Sequence, residues 1–193
     1  MNREVALKNI CKIRLGHAFR GRVESTLGGE LAVVQPRDIS GSGALETGEI
    51  AYVDLSLLKP AQLLRSGDIL LVGRGRICAA VYRDECAPHC IASGALFVLS
   101  VNSSVAVSPD FIAIYLNSHE GRLALSRVGA RTTAAFLNRS NLKEVEIPIP
   151  DIKTQQSLVA LSQSKRRFLD LATRKATILD RVIGSQFNQT AAI

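Results

Sequence analysis

Between Asp151 and Phe187 the chain contains no proline and one glycine, Gly184, so nothing in 151–187 interrupts a single helix. At about 1.5 Å per residue, such a helix of about 37 residues is about 55 Å long. Leu158, Leu161, Phe168, Ala172, Leu179 and Val182 fall on a 3-4 spacing that Lys165 and Lys175 interrupt, and Leu169, Ala176 and Ile183 lie beside that seam. The core of one domain cannot cover an apolar stripe of that length. The segment therefore predicts a coiled coil with another helix. Asp151 is placed to cap its start, and 188–193 reads as a frayed tail.

The preceding 150 residues have a different texture. Leu31 to Val34, Ile50 to Val53, Ile69 to Val72, Ile77 to Tyr82 and Ala95 to Val101 are short, largely β-favouring apolar runs. Turn chemistry separates them: Gly28-Gly29, Gly41-Ser42-Gly43, Ser66-Gly67-Asp68 and Gly73-Arg74-Gly75. This spacing predicts a curled, mostly antiparallel sheet and lacks the strand-helix alternation of a doubly wound fold. Ser108-Pro109-Asp110 then opens a helix, with Ser108 at the cap and proline at the first helical position. A shorter helix is expected from Ser118 or His119 to Arg127, with Gly129 as its stop, and Ser140 is expected to cap one further turn. Val145 to Pro150 reads as extended, because each proline pushes the residue before it out of the helical region. The fold class expected is α+β: residues 1–150 as one domain, 151–187 as a long helix, 188–193 as a tail.

Of 193 residues, 24 are Lys or Arg and 17 are Asp or Glu, a net charge of +7. Residues 151–193 carry 7 basic and 3 acidic side chains and so hold more than half of that excess. A basic balance favours polyanionic partners, although solubility alone also accounts for it. A composition 47% hydrophobic and 21% charged excludes intrinsic disorder. No run approaches the roughly 18 apolar residues of a spanning helix, and 1–10 lacks the apolar core of a signal peptide. A cytoplasmic protein with no membrane partner is expected, and its four cysteines should be reduced.

Few residues suggest chemistry. Cys78, Cys86, His89 and Cys90 are zinc-ligand types, but their spacing lacks paired C-x2-C elements. Gly73-Arg74-Gly75-Arg76 satisfies neither a Walker loop nor a dinucleotide fingerprint; it fits a tight hairpin displaying its arginines. The three histidines, His17, His89 and His119, sit in no nucleophile motif. No catalytic, metal or cofactor-binding residue is proposed from the sequence. What remains is polar and basic: Arg20, Arg22, Gln35, Arg37, Arg74, Arg76, Arg127, Arg131, Thr132 and Thr133 can donate to phosphates or to guanine edges. For any one of them, a solvated surface position is the commoner role.

In order along the chain, Leu15-Gly16 with Phe19-Arg20-Gly21, Val34-Gln35-Pro36-Arg37-Asp38-Ile39, Leu64 to Leu70 with its Gly67-Asp68-Ile69-Leu70, and Gly75-Arg76-Ile77 resemble a target recognition domain of the type I restriction-modification specificity subunit. Ser108 to Ile112, Tyr115-Leu116-Asn117-Ser118, Gly129, Leu142, Ile147-Pro148-Ile149-Pro150 and Gln155-Gln156 continue the resemblance. It implies a non-catalytic DNA-reading domain followed by a spacer helix. Methyltransferase subunits that use S-adenosylmethionine, and indirectly a restriction subunit, would be aimed at a bipartite site on double-stranded DNA. The resemblance makes Asp68 a turn support rather than a base contact. A family member carries two such domains and two spacer helices in an antiparallel coiled coil, so one of each implies a two-fold homodimer reading inverted half-sites. Two readings compete: a free-standing DNA-binding regulator or phage-defence module without a methyltransferase, and an enzyme built on the cysteines or a carboxylate.

Overall fold

The computed structural model describes residues 3–54, 56, 59–83, 89–129 and 137–190. The elements are β1 (Arg3–Ala6), α1 (Leu7–Ile10), β2 (Cys11–Leu15), β3 (Leu31–Val34), β4 (Ala51–Val53), β5 (Ile69–Val72), β6 (Ala79–Val81), β7 (Cys90–Ala92), β8 (Leu96–Val101), α2 (Pro109–Asn117), α3 (His119–Gly129), α4 (Arg139–Lys143), β9 (Glu146–Ile149) and α5 (Ile152–Thr190). The chain divides into two compact units, Met1–Gln156 and Ser157–Ile193. The first is the α+β domain and the second is helical.

Among the described residues the first unit holds three sheets. The largest has the order β2-β8-β5-β6, the second β4-β3-β7, and the third pairs β1 with β9. Every pairing is antiparallel except β3 with β7. The continuous apolar run of β3 is explained by its two faces. Leu31 and Val33 join Val23, Ala51, Val53 and Ile91 in one core cluster, while Ala32 and Val34 join Leu70, Val72, Tyr82, Leu96 and Val98 in the other. A strand that is buried on both sides has no polar face to show.

The helices correct the sequence reading at their ends. Ser108 precedes α2, but its hydroxyl makes no capping bond; its backbone N–H instead donates to Gln155 Oε1 at 2.9 Å. Ser118 caps α3, accepting from the Gly121 N–H at 3.0 Å while donating to the Tyr115 carbonyl at 2.7 Å. Only glycine fits at 121, because a Cβ there would run into the Tyr115 carbonyl. Gly129 is the last residue of α3 rather than a stop beyond it. The cap of α4 is Asn138, whose Oδ1 accepts from the Asn141 N–H at 2.8 Å; Ser140 lies inside the turn. Asp151 does cap α5, accepting from the Thr154 N–H at 3.0 Å and the Thr154 hydroxyl at 2.7 Å. That helix runs to Thr190, past Phe187, since Asn188 and Gln189 carry no stop signal.

In the second unit the expected stripe is solvent-facing. Phe168 is 70% exposed and Leu161 68%, and Leu158, Leu169, Leu179, Val182 and Ile183 are exposed too, as are Ala172 and Ala176. Leu171 and Ile178, which the 3-4 spacing omits, are likewise exposed. At 100° per residue they sit beside Val182 and widen the apolar face toward half of the helix circumference.

Candidate nucleic-acid interface

Arg37 and Arg74 are exposed on loops that follow buried strands, β3 and β5. After β3 the chain makes a 3₁₀ turn over Pro36–Asp38. The buried Asp38 carboxylate accepts the Gln35 N–H at 2.7 Å and lies 3.7 Å from the Arg37 guanidinium. Burial pushes the Asp38 carboxyl above its ordinary value, against the opposing hydrogen bond from Gln35 and the charge of Arg37. Gln35 itself is half-buried, so its role in the turn precedes any contact outward.

The link from β5 to β6 spans 73–78 and is longer than a tight hairpin. Arg76 is exposed on it, as Arg74 is, but is bonded back onto the fold. Its Nη2 donates to the Ile39 carbonyl at 3.0 Å, tying the link to the Arg37 loop. Arg20 and Arg22 are exposed on the segment where Phe19 and Val23 pack into the β3-β4-β7 core. Arg22 lies 3.8 Å from Glu24, both well exposed, a weak pair. Arg127 is exposed in the last turn of α3. Arg131, Thr132 and Thr133 lie outside the described residues.

Behind these loops lies a buried polar scaffold. Asp68 accepts the Arg65 N–H at 3.0 Å and the Ser100 hydroxyl at 2.6 Å, and stands 3.6 Å from Arg14. Burial lowers the Arg14 guanidinium from its ordinary value, with Asp68 opposing the fall; its Nη2 donates to the Leu63 carbonyl at 3.0 Å. Asp68 thus supports the turn before β5, as the resemblance implies. His17 Nδ1 lies 2.8 Å from Gln62 Oε1 and its ring meets Phe19 edge-on. Sequence reasoning gave no role to Arg14, Asn117 or Gln155, the last two sitting within the quoted motifs. Gln155 is fully buried, and its Nε2 donates to the Ala106 and Pro150 carbonyls at 3.1 and 2.9 Å.

The described cysteines are buried thiols. Burial pushes Cys11 up to about 12 and raises Cys78, whose shift the nearby Arg76 and Arg122 oppose. Cys86 lies outside the described residues. Among the described residues no three His, Cys, Asp or Glu side chains come together as a metal site, and no helix is long and apolar enough to cross a membrane.

A family model described as the type I restriction modification DNA specificity domain matches residues 2–176. The chain belongs to this family. Solved structures agree on the fold. The HsdS subunit from Thermoanaerobacter tengcongensis aligns with a TM-score of 0.62 at 21% identity over 90% of this chain and 39% of that one. A chain from a study of complex assembly and conformational transition of the type I R-M system gives 0.63 at 21%, over 90% and 40%. The type I S subunit from M. genitalium gives 0.57 at 13%, over 93% and 43%. This specificity domain with its helix therefore spans about two fifths of the solved chains it matches. Among curated proteins, none matches.

Proposed function

We propose that this chain reads DNA sequence for a type I restriction-modification system and performs no chemistry itself. The family match over residues 2–176 carries the reading. Exposed arginines support it: Arg20, Arg22, Arg37 and Arg74 on loops and Arg127 at the end of α3 meet phosphates or base edges, with Arg131, Thr132 and Thr133 as further candidates. Methyl transfer from S-adenosylmethionine belongs to a partner methyltransferase subunit in the cytoplasm. The restriction subunit joins through that assembly.

The exposed stripe of α5 supports a second element of the proposal. Its apolar residues pair with the same helix of a second copy, antiparallel, in a two-fold dimer. Two identical recognition domains held that way read a spaced inverted repeat.

Sequencing the methylated bases of host DNA with and without this gene tests the proposal. A spaced, inverted motif that loses its methylation with the gene is the expected result. An unchanged methylation pattern, with site-specific binding by the chain retained, overturns the methyltransferase partnership and leaves a free-standing DNA-binding module.

A further inference from the structure

Three segments far apart in sequence converge beside β6. Because the Val72 N–H bonds the Cys78 carbonyl and the Tyr82 N–H bonds the Asp68 carbonyl, Ala79 faces away from β5. Its N–H and C=O therefore sit on the open edge of the four-stranded sheet. Asn117, the last residue of α2, takes both: the Ala79 N–H donates to Asn117 Oδ1 and Asn117 Nδ2 donates to the Ala79 carbonyl, each at 2.8 Å. The turn Ser40–Gly43 lies directly over this amide pair. A Cβ on Gly43 would stand 2.6 Å from Asn117 Nδ2 and 2.8 Å from the Ala79 carbonyl, and Gly43 has φ +78°, a left-handed conformation. One on Gly41 would stand 3.1 Å from Arg76 Nη1. The Arg76 to Ile39 bond closes the seam from the other side.

We infer that Arg76 and Asn117 are positioning residues that fix the Arg37 loop and the Arg74 link as one reading edge, and that Arg76 sets DNA specificity through this seam rather than by touching DNA. The inference rests on the proposed DNA-reading role. Its logic is geometric: two loops that read neighbouring bases must keep their spacing to within a fraction of an ångström, or each arginine loses its match to the base edge. Arg76 is exposed as Arg37 and Arg74 are, but its guanidinium is bonded to a backbone carbonyl of the neighbouring loop, and that bond gives the spacing.

The test uses the full chain and double-stranded DNA with a randomised core, from which bound duplexes are enriched and sequenced. It compares Arg76→Ala, Arg76→Lys, Gly43→Ala and Arg74→Ala. Gly43→Ala wedges the seam without altering charge. Both Gly43→Ala and Arg76→Ala should reduce discrimination between the enriched duplex and a scrambled one about tenfold, the scale of one lost base contact. Arg76→Lys, which keeps a donor for the Ile39 carbonyl, should recover part of it. On the scrambled duplex, the slope of log affinity against log salt should fall by about 1 for Arg74→Ala and stay at the wild-type value for Gly43→Ala and Arg76→Ala. A slope that falls as far in Arg76→Ala as in Arg74→Ala overturns the inference, because Arg76 then contacts phosphate; so does unchanged discrimination in both seam variants.

Amide exchange separates failure of the seam from failure of the DNA reading. The Gly43, Ala44 and Glu46 amides, bonded within the loop, should exchange faster in Arg76→Ala whether or not DNA is bound, and unchanged exchange overturns the seam. A wild-type chain that enriches no motif overturns the DNA reading, and the specificity role of Arg76 with it.

Discussion

Leu70, Leu71, Leu99 and Ile112 in the first unit are 0% exposed, whereas Phe168, Leu161 and Leu171 in the second are 65% exposed or more. Both regions are rich in leucine and isoleucine, so composition does not separate them; what differs is whether the chain supplies the other half of each contact. Among the described residues of 1–156 the sheets and the short helices bury one another's apolar faces, and buried Asp68 is bonded to the Arg65 N–H and the Ser100 hydroxyl. In α5 the i to i−4 ladder satisfies the backbone, but the described side chains of the stripe are exposed. A lone helix gains little from propensity alone. The first region therefore has the means to hold its own fold, and the second leaves its apolar stripe exposed, the feature on which the proposed pairing rests.

Four variants break or sharpen that contrast, in decreasing order of effect. Replacing Leu161 and Phe168 together by glutamate puts two charges into the stripe. It should abolish the concentration dependence of helix melting, a loss of about 4 kcal/mol of association, while the first unit unfolds as before. Thermal melts followed at 222 nm over a hundredfold dilution check this. Asp68→Ala acts on the other side of the contrast. It strands the half-buried Arg14 and two donors, and should destabilise the first unit by about 3 kcal/mol, roughly 6–12 °C in Tm by calorimetry, with the oligomeric state unchanged. Gln155→Ala leaves the Ser108 N–H and the Ala106 and Pro150 carbonyls without their bonds. About 2 kcal/mol should be lost, seen in urea unfolding and in faster exchange of the Ser108 amide. Arg174→Ala removes an exposed pair with Asp170, 3.1 Å apart and one helical turn away. It should change stability by less than about 0.5 kcal/mol in the same urea experiment.

Which parts of this were legible in the sequence follows from the range of the interactions involved. β3 and β5 end where the apolar runs end, because strands buried on both faces write their limits directly into composition. β2 went unread because Lys12 and Arg14 interrupt its apolar residues, although Cys11 and Ile13 are buried in strict alternation with exposed Lys12. β7 has three residues and no pattern of its own; its register comes from β3. The candidate interface was legible as residue types but not as an arrangement. Nothing near Arg76 in the sequence signals that the Ile39 carbonyl 37 residues away holds it. Asn117 and Gln155 stand in motifs that the family resemblance marks, but Asn117 bonds Ala79, 38 residues away, and Gln155, besides the nearby Pro150, bonds Ser108 and Ala106, 47 and 49 residues away. No local spacing encodes contacts of that kind. The stripe of α5 was the reverse case, legible because helical periodicity is local, and wider than the 3-4 spacing suggested because Leu171 and Ile178 flank it.

The claim that the second region needs another copy is tested most directly by light scattering on the full chain at micromolar concentration. With a chain mass of 20.8 kDa, the account predicts a species of about 42 kDa that persists on dilution through the low micromolar range. A particle of about 21 kDa at those concentrations would contradict it, and would leave the stripe to a helix that this chain does not supply.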